Sequence, residues 1–162
     1  MLYQFVAMYI EDESTGNQIT VEIDKVMDND YDIIKELGRF DFDWDELKGE
    51  LVYKLVPVGT NDIEGLIAII DHPEEGFRYL EVKLIESAKE NIGANKKYTR
   101  VAGTLLSFAC REAFRKGYYG AVFLIPKTNL VPLYIKKYGF KNIGRGLWLD
   151  IDASLELMSK FQ

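Results

Sequence analysis

Residues 77–125, FRYLEVKLIESAKENIGANKKYTRVAGTLLSFACREAFRKGYYGAVFLI, decide the fold. Phe77 to Glu86 reads as a strand, with Leu80, Val82 and Leu84 expected on one face. Val101, Leu105, Phe108, Ala109 and Ala113 recur at helical spacing, and Lys116 and Gly117 mark that helix's end. Tyr119 to Ile125 is a continuous apolar run closed by Pro126, the pattern of a strand buried on both faces. Strand, long helix and strand in that order imply a right-handed parallel crossover.

Upstream, the pattern is antiparallel. Leu2 to Ile10 and Gln18 to Val26 flank the polar segment Glu11 to Asn17 and read as a hairpin. Asp28 and Asn29 can cap a short helix through Tyr31, Ile34 and Leu37 that ends at Gly38, and Phe40 to Lys48 is expected to form a second one. Strands Leu51 to Val58 and Ile63 to Ile70 meet at the turn Gly59, Thr60, Asn61. Downstream, a short helix Asn129 to Tyr138 precedes Gly139. An edge strand Arg145 to Asp150 then leads into a final helix, Ala153 to Phe161. With 162 residues, 48% of them hydrophobic, the chain suits one α/β domain spanning residues 1–162.

Composition narrows the function. No apolar run is long enough to span a bilayer, and Met1 to Ile10 lacks the marks of a secretion signal, so the expectation is a cytoplasmic protein without a membrane partner. One cysteine, Cys110, and one histidine, His72, cannot build a thiolate or imidazole metal cage, so no metal is expected. The net charge of −6 argues against nucleic acid as a partner, but it conceals a division. Residues 1–90 hold 22 acidic and 8 basic side chains, a net −14. Residues 91–162 hold 4 and 12, a net +8. Either the second half gathers an anionic ligand and the first a cationic one, or the halves attract each other.

In a sheet that turns from antiparallel to parallel, a ligand binds at the carboxyl end of the first parallel strand, beside the next helix's amino end. That junction runs from Glu86 to Gly103. It carries Lys96, Lys97 and Arg100 beside small residues where free backbone amides favour a phosphate. Glu64, Glu81 and Glu86 are the acids on the central strands that can serve as a base. Cys110 sits on the apolar helix face and reads as core packing, and His72, beside Pro73 in an acidic turn, reads as a surface residue.

The segment Lys97-Tyr98-Thr99-Arg100-Val101-Ala102-Gly103, followed by Thr104-Leu105-Leu106, resembles motif A of the GCN5-related N-acetyltransferases: Gln or Arg, two residues, Gly, one residue, then Gly or Ala. Leu133-Tyr134-Ile135-Lys136-Lys137-Tyr138-Gly139-Phe140 is similar to the family's helix ending in Gly-Phe. The element order matches from about Ile19 to Asp150. Arg100 stands where the family has glycine, and Tyr134 lies five residues before Gly139 where four is usual.

The resemblance implies an acetyltransferase-type mixed sheet and acetyl-CoA dependent N-acetylation of a primary amine, on a small molecule or a protein, by direct attack. It places the cofactor's diphosphate against the amides of Tyr98 to Gly103, with Lys97 and Thr104 alongside, and the pantetheine arm along Ile85, Glu86 and Ser87. Arg100 is expected to stay within ordinary helical dihedrals while its side chain contacts a phosphate. Tyr134 becomes the proton donor to the thiolate and Glu86, nearest the thioester, the general base. Lys127, Lys136 and Lys137 read as a solvated face first, with contact to the nucleotide's 3'-phosphate as the alternative. The alternative is an inactive relative that holds CoA or associates with a protein. Acids and aromatics interleaved from Asp28 to Glu50 suit a cationic amine or form a solubilising surface with the aromatics turned inward. Leu147, Trp148, Leu149 and Ile151 pack at home or form the seam of a homodimer.

Overall fold

The computed structural model describes residues 7–162. Its strands are β1 (Met8–Asp12), β2 (Gln18–Lys25), β3 (Leu51–Pro57), β4 (Gly65–His72), β5 (Tyr79–Ser87), β6 (Tyr98–Thr99), β7 (Val122–Leu124), β8 (Lys141–Asn142) and β9 (Leu147–Leu149). Helices are α1 (Asp28–Leu37), α2 (Val101–Arg115), α3 (Val131–Tyr138) and α4 (Ile151–Lys160), with a 3-10 turn at Trp44–Leu47. These strands form one sheet in the order β6-β1-β2-β3-β4-β5-β7-β9-β8. The pair β5–β7 is parallel and joined through α2, as the sequence led us to expect. Of the expected first hairpin strand, residues 2–6 lie outside the described residues.

The sheet buries both faces. Under α2 and α4 lies the main core, with Leu55, Ile67, Ile69, Leu80, Val82, Leu105, Leu106 and Leu149. Under α1 and the 3-10 turn lies a smaller one, with Val26, Tyr31, Trp44, Val52 and Leu66. Gly38 ends α1 in the left-handed conformation, φ 60°, which a residue without Cβ adopts freely. The Asp150 carboxylate accepts from the Ala153 amide at 2.9 Å and opens α4.

Three expectations are corrected. The strand read from Tyr119 to Ile125 is only Val122–Leu124: Tyr119 and Gly120 form a left-handed turn, φ 54° and 74°, and Tyr119 and Ile125 are exposed. Leu84 does not share the face of Leu80 and Val82, because the β4–β5 register shifts between Ala68 and Ile69: Ile69 faces Val82 but Ala68 faces Leu84. The extra residue, Lys83, is a bulge, and it turns Leu84 onto the smaller core. Nor is the strand after Gly146 an edge, since β9 pairs with β7 on one side and β8 on the other. Leu147 and Leu149 are buried at home, so that strand offers no free edge as a dimer seam.

Candidate active site

The parallel ladder runs only from Leu80 opposite Val122 to Val82 opposite Leu124. Beyond it β5 continues to Ser87, still paired on its other side with β4. Ile85, Glu86 and Ser87 therefore lie where β5 has lost its parallel neighbour, an unpaired edge to which an extended ligand can add. The bulge at Lys83 marks where the divergence starts. Bulges leave one residue out of the ladder and gather beside active sites.

The amino end of α2 lies beside this gap, with Val101 and Leu105 packed against Gly65, which pairs with Ser87. Arg100 caps the helix with φ 74°, in the left-handed region. The expected helical dihedrals are therefore corrected: Arg100 keeps the backbone shape that glycine adopts without strain. Its guanidinium carbon lies 4.1 Å from the Tyr9 ring centre and 4.9 Å from that of Phe161. These two stacks offset part of the strain. The Arg100 Nε and Nη2 atoms are buried without a hydrogen-bond partner among the described residues.

The amides expected to hold a diphosphate divide into two sets. Lys97 N–H donates to the Glu90 carbonyl at 2.8 Å and Tyr98 N–H to Asn91 Oδ1 at 3.1 Å, while Tyr98 and Thr99 pair with β1. Those amides are occupied by the chain itself. Thr104 N–H closes the first turn onto the Arg100 carbonyl. The amides of Val101, Ala102 and Gly103 have no acceptor among the described residues. Three free amides at a fifteen-residue helix's positive end, beside an arginine with two unmatched donors, fit a diphosphate.

A polar network holds the junction in place. Glu64, 1% exposed, takes Arg39 Nη2 at 2.7 Å and Asn91 Nδ2 at 2.9 Å on one oxygen. Arg39 also donates to the Ile63 carbonyl and to Glu90. Glu64 is thus a structural anchor rather than a base. Asn91 and Arg39 were missed in the sequence because their partners lie 27 and 25 positions away.

Glu86 sits on the open segment of β5, and both of its oxygens are engaged. They accept from the Asp41 amide at 2.8 Å, the Phe42 amide at 3.4 Å and Trp44 Nε1 at 2.9 Å. This carboxylate ties the 40–45 loop to the gap. The loop lines a pocket of about 210 Å³ formed by Tyr31, Ile34, Lys35, Phe40, Asp41, Phe42, Asp43, Trp44 and Asp45. Trp44 is turned inward and Phe42 outward, so the acidic aromatic stretch is part core and part open surface.

Tyr134 packs against Tyr138 and Phe140, with ring centres 5.6 Å and 5.7 Å away. Burial raises the pKa of its phenol above the ordinary value, so at neutral pH it is a proton donor and not a phenolate. Cys110 is fully buried, and burial pushes its thiol up to about 12, which leaves it inert as a nucleophile. Lys127, Lys136 and Lys137 are exposed, Lys137 over the Tyr138 ring.

A mixed sheet that diverges beside the open amino end of its crossover helix is the GCN5-related N-acetyltransferase fold, and this chain has it. No family model matches the sequence, and no curated protein does. Among solved structures, the fold is shared by a Tyr-to-Phe mutant of the toxin AtaT bound to the C-terminus of the antitoxin AtaR (11% identity over 86% of this chain and 98% of that one, TM-score 0.59). The same mutant with AtaR and acetyl-CoA matches at 12% identity over 86% and 98%, TM-score 0.57. AtaT complexed with acetyl-methionyl-tRNAfMet matches at 11% identity over 86% and 99%, TM-score 0.55.

That last complex corrects the expectation that nucleic acid is no partner. A protein of this fold holds a tRNA, and the −6 average is the wrong measure of a chain whose second half carries +8. Among the described residues no helix is long and apolar enough to cross a membrane, and no group of His, Cys, Asp and Glu is placed to hold a metal ion.

Proposed function

We propose that this chain is an acetyl-CoA dependent N-acetyltransferase acting on a primary amine by direct attack. The observation that carries this reading is the trio of free amides at Val101, Ala102 and Gly103 beside the unmatched Arg100 guanidinium, next to the gap between β5 and β7. Bound acetyl-CoA supplies a thioester whose carbonyl carbon the amine attacks. The α2 amides and Arg100 hold the diphosphate, with Lys97 and Thr104 at the margin. Ile85, Glu86 and Ser87 present backbone groups to the extended arm. Tyr134 protonates the departing thiolate, and Glu86 keeps the 40–45 loop against the gap on the acceptor side.

For the acceptor we put an amine carried on RNA first. The motive is the AtaT complex, together with Lys127 and Lys136, exposed cations with no ion-pair partner among the described residues, and the half-buried Lys96. Phosphates contribute most of such affinity through cations of this kind.

Two measurements test the reading. Acetyl-CoA at 100 times its dissociation constant stabilises a protein by about 2.7 kcal/mol. We expect a melting shift of that order for the wild type and a much smaller one for Arg100→Gly, which keeps the left-handed turn and removes the cation. An unchanged shift in the variant removes Arg100 from the site. Thiol release is then followed with a panel of aminoacyl-tRNAs, small amines and lysine peptides. Transfer confined to the peptides or small amines rejects the RNA acceptor, and no release with any of them rejects the enzyme. Tyr134→Phe should lower kcat about 100-fold, with the melting shift unchanged, because the ring and its packing stay. A loss below threefold assigns the proton elsewhere.

A further inference from the structure

We infer that Phe77 and Trp148 form a stacking platform for the unpaired bases of an RNA acceptor, with Arg145 as its phosphate contact. This rests on the RNA acceptor put first above and deepens it. Alternation along three neighbouring strands builds the platform. Leu80 and Val82 of β5, Val122 and Leu124 of β7, and Leu147 and Leu149 of β9 all lie in the core under α2. Tyr79, Phe123 and Trp148 therefore point to the opposite face. The smaller core under α1 takes no residue from β7 or β9, so on this part of the face the rings pack on one another instead.

Phe77 and Trp148 lie nearly parallel, with ring centres 5.4 Å apart and planes 9° from each other. Tyr79 meets them edge-on at 5.4 Å and 5.6 Å, and its own ring is stacked on His72, which holds the pair against the sheet. Phe77 is 53% exposed and Trp148 half-buried, so the stack ends at the surface in an apolar plane. Single-stranded RNA is read in this way, by bases splayed onto the aromatic rings of a sheet.

Charge and position choose the occupant. Arg145 is exposed beside the platform, its guanidinium carbon 5.4 Å from the Phe123 ring centre, and it has no ion-pair partner among the described residues. The acids nearby are Glu81, bound to His72 Nε2 at 3.0 Å, and Glu74 and Glu75 in the turn before Phe77. They repel a phosphate backbone laid flat on the rings, whereas uncharged bases enter with their phosphates outward, toward Arg145. Trp148 pairs with Phe123, one residue before the parallel ladder ends at Leu124. A rise of ~3.3 Å per residue and ~4.8 Å between strands place the platform about two stacked bases, ~3.4 Å each, from the start of the gap. The amine on the last nucleotide of an unpaired end therefore reaches the gap while the bases behind it stack.

The test compares wild type, Phe77→Ala, Phe77→Tyr and Arg145→Gln with the acceptor panel above. Phe77→Ala should raise the KM for aminoacyl-tRNA about tenfold, leaving the KM for small amines and the acetyl-CoA melting shift unchanged. Phe77→Tyr keeps the ring and should restore the wild-type value. Arg145→Gln should reduce the slope of log affinity against log salt by about 0.7, one phosphate's share on a single strand. Binding is read directly with hexaadenylate, which should quench the fluorescence of Trp148, whereas Trp44 is 2% exposed and out of reach. A blunt RNA duplex should not quench it. An unchanged KM for aminoacyl-tRNA in Phe77→Ala, or equal quenching by duplex and single strand, overturns the platform while leaving the RNA acceptor standing. A wild-type dimer that Phe77→Ala dissociates gives the face to a second copy and likewise overturns it. Transfer confined to lysine peptides, with their KM raised in Phe77→Ala, gives the face to a peptide and overturns both.

Discussion

Arg39→Ala is expected to destabilise the protein by about 3–5 kcal/mol, because it leaves the buried Glu64 carboxylate without its counter-charge. Arg39 makes four contacts that the methyl of alanine cannot replace: Glu64, both oxygens of Glu90, and the Ile63 carbonyl at 2.8 Å. Glu64 cannot relax toward water, since it lies at the start of β4 with Asn91 packed on the same oxygen. Adding Glu64→Gln to Arg39→Ala removes the buried charge while its amide oxygen still accepts from Asn91, so the pair should recover a good part of the loss. Urea titration of the two variants decides it. A cost below about 1 kcal/mol for Arg39→Ala would place Glu64 in far better contact with solvent than the structure has it. The same variant should also weaken acetyl-CoA binding, because Asn91 ties this anchor to the Tyr98 amide two residues before Arg100.

How much of this was legible in the sequence depends on whether the deciding contact is local. The crossover was legible because the apolar spacing of Val101 to Ala113 and the run up to Ile125 each report a neighbour on their own element. Leu84 was misplaced because a bulge is a property of two strands, and nothing in Glu81-Val82-Lys83-Leu84 announces the extra residue that turns it over. The site divided in the same way. Free amides at a helix's first turn follow from the helix alone, so Val101, Ala102 and Gly103 could be named. That Lys97 and Tyr98 are already satisfied depends on Glu90, Asn91 and a short strand against β1. Glu86 was placed correctly on the open end of β5, but its hydrogen bonds come from residues more than 40 positions away. His72 is half-buried against Glu81 and Tyr79, contacts that nothing beside Pro73 announces because both partners belong to the next strand.

Gly103→Ala gives the second large effect and shows why a small residue stands there. A Cβ at this position would lie 2.1–2.5 Å from three ring atoms of Phe161, so the ring must leave. Phe161 follows α4 near the chain's end, packs on Tyr138, and forms one side of the Arg100 stack. Expelling it should cost about 3 kcal/mol, close to the loss from Phe161→Ala. The double variant discriminates between a clash and a general intolerance of Cβ. With the ring already gone, those three close contacts are removed, and the added methyl improves the helix's propensity by up to ~1 kcal/mol over glycine. Gly103→Ala/Phe161→Ala should therefore be no less stable than Phe161→Ala, and the two single losses should fail to add. Additive losses would mean that Gly103 is required by the helix itself. Either single variant should also reduce the acetyl-CoA melting shift, since Arg100 loses one of the two rings that hold its guanidinium beside the free amides of α2.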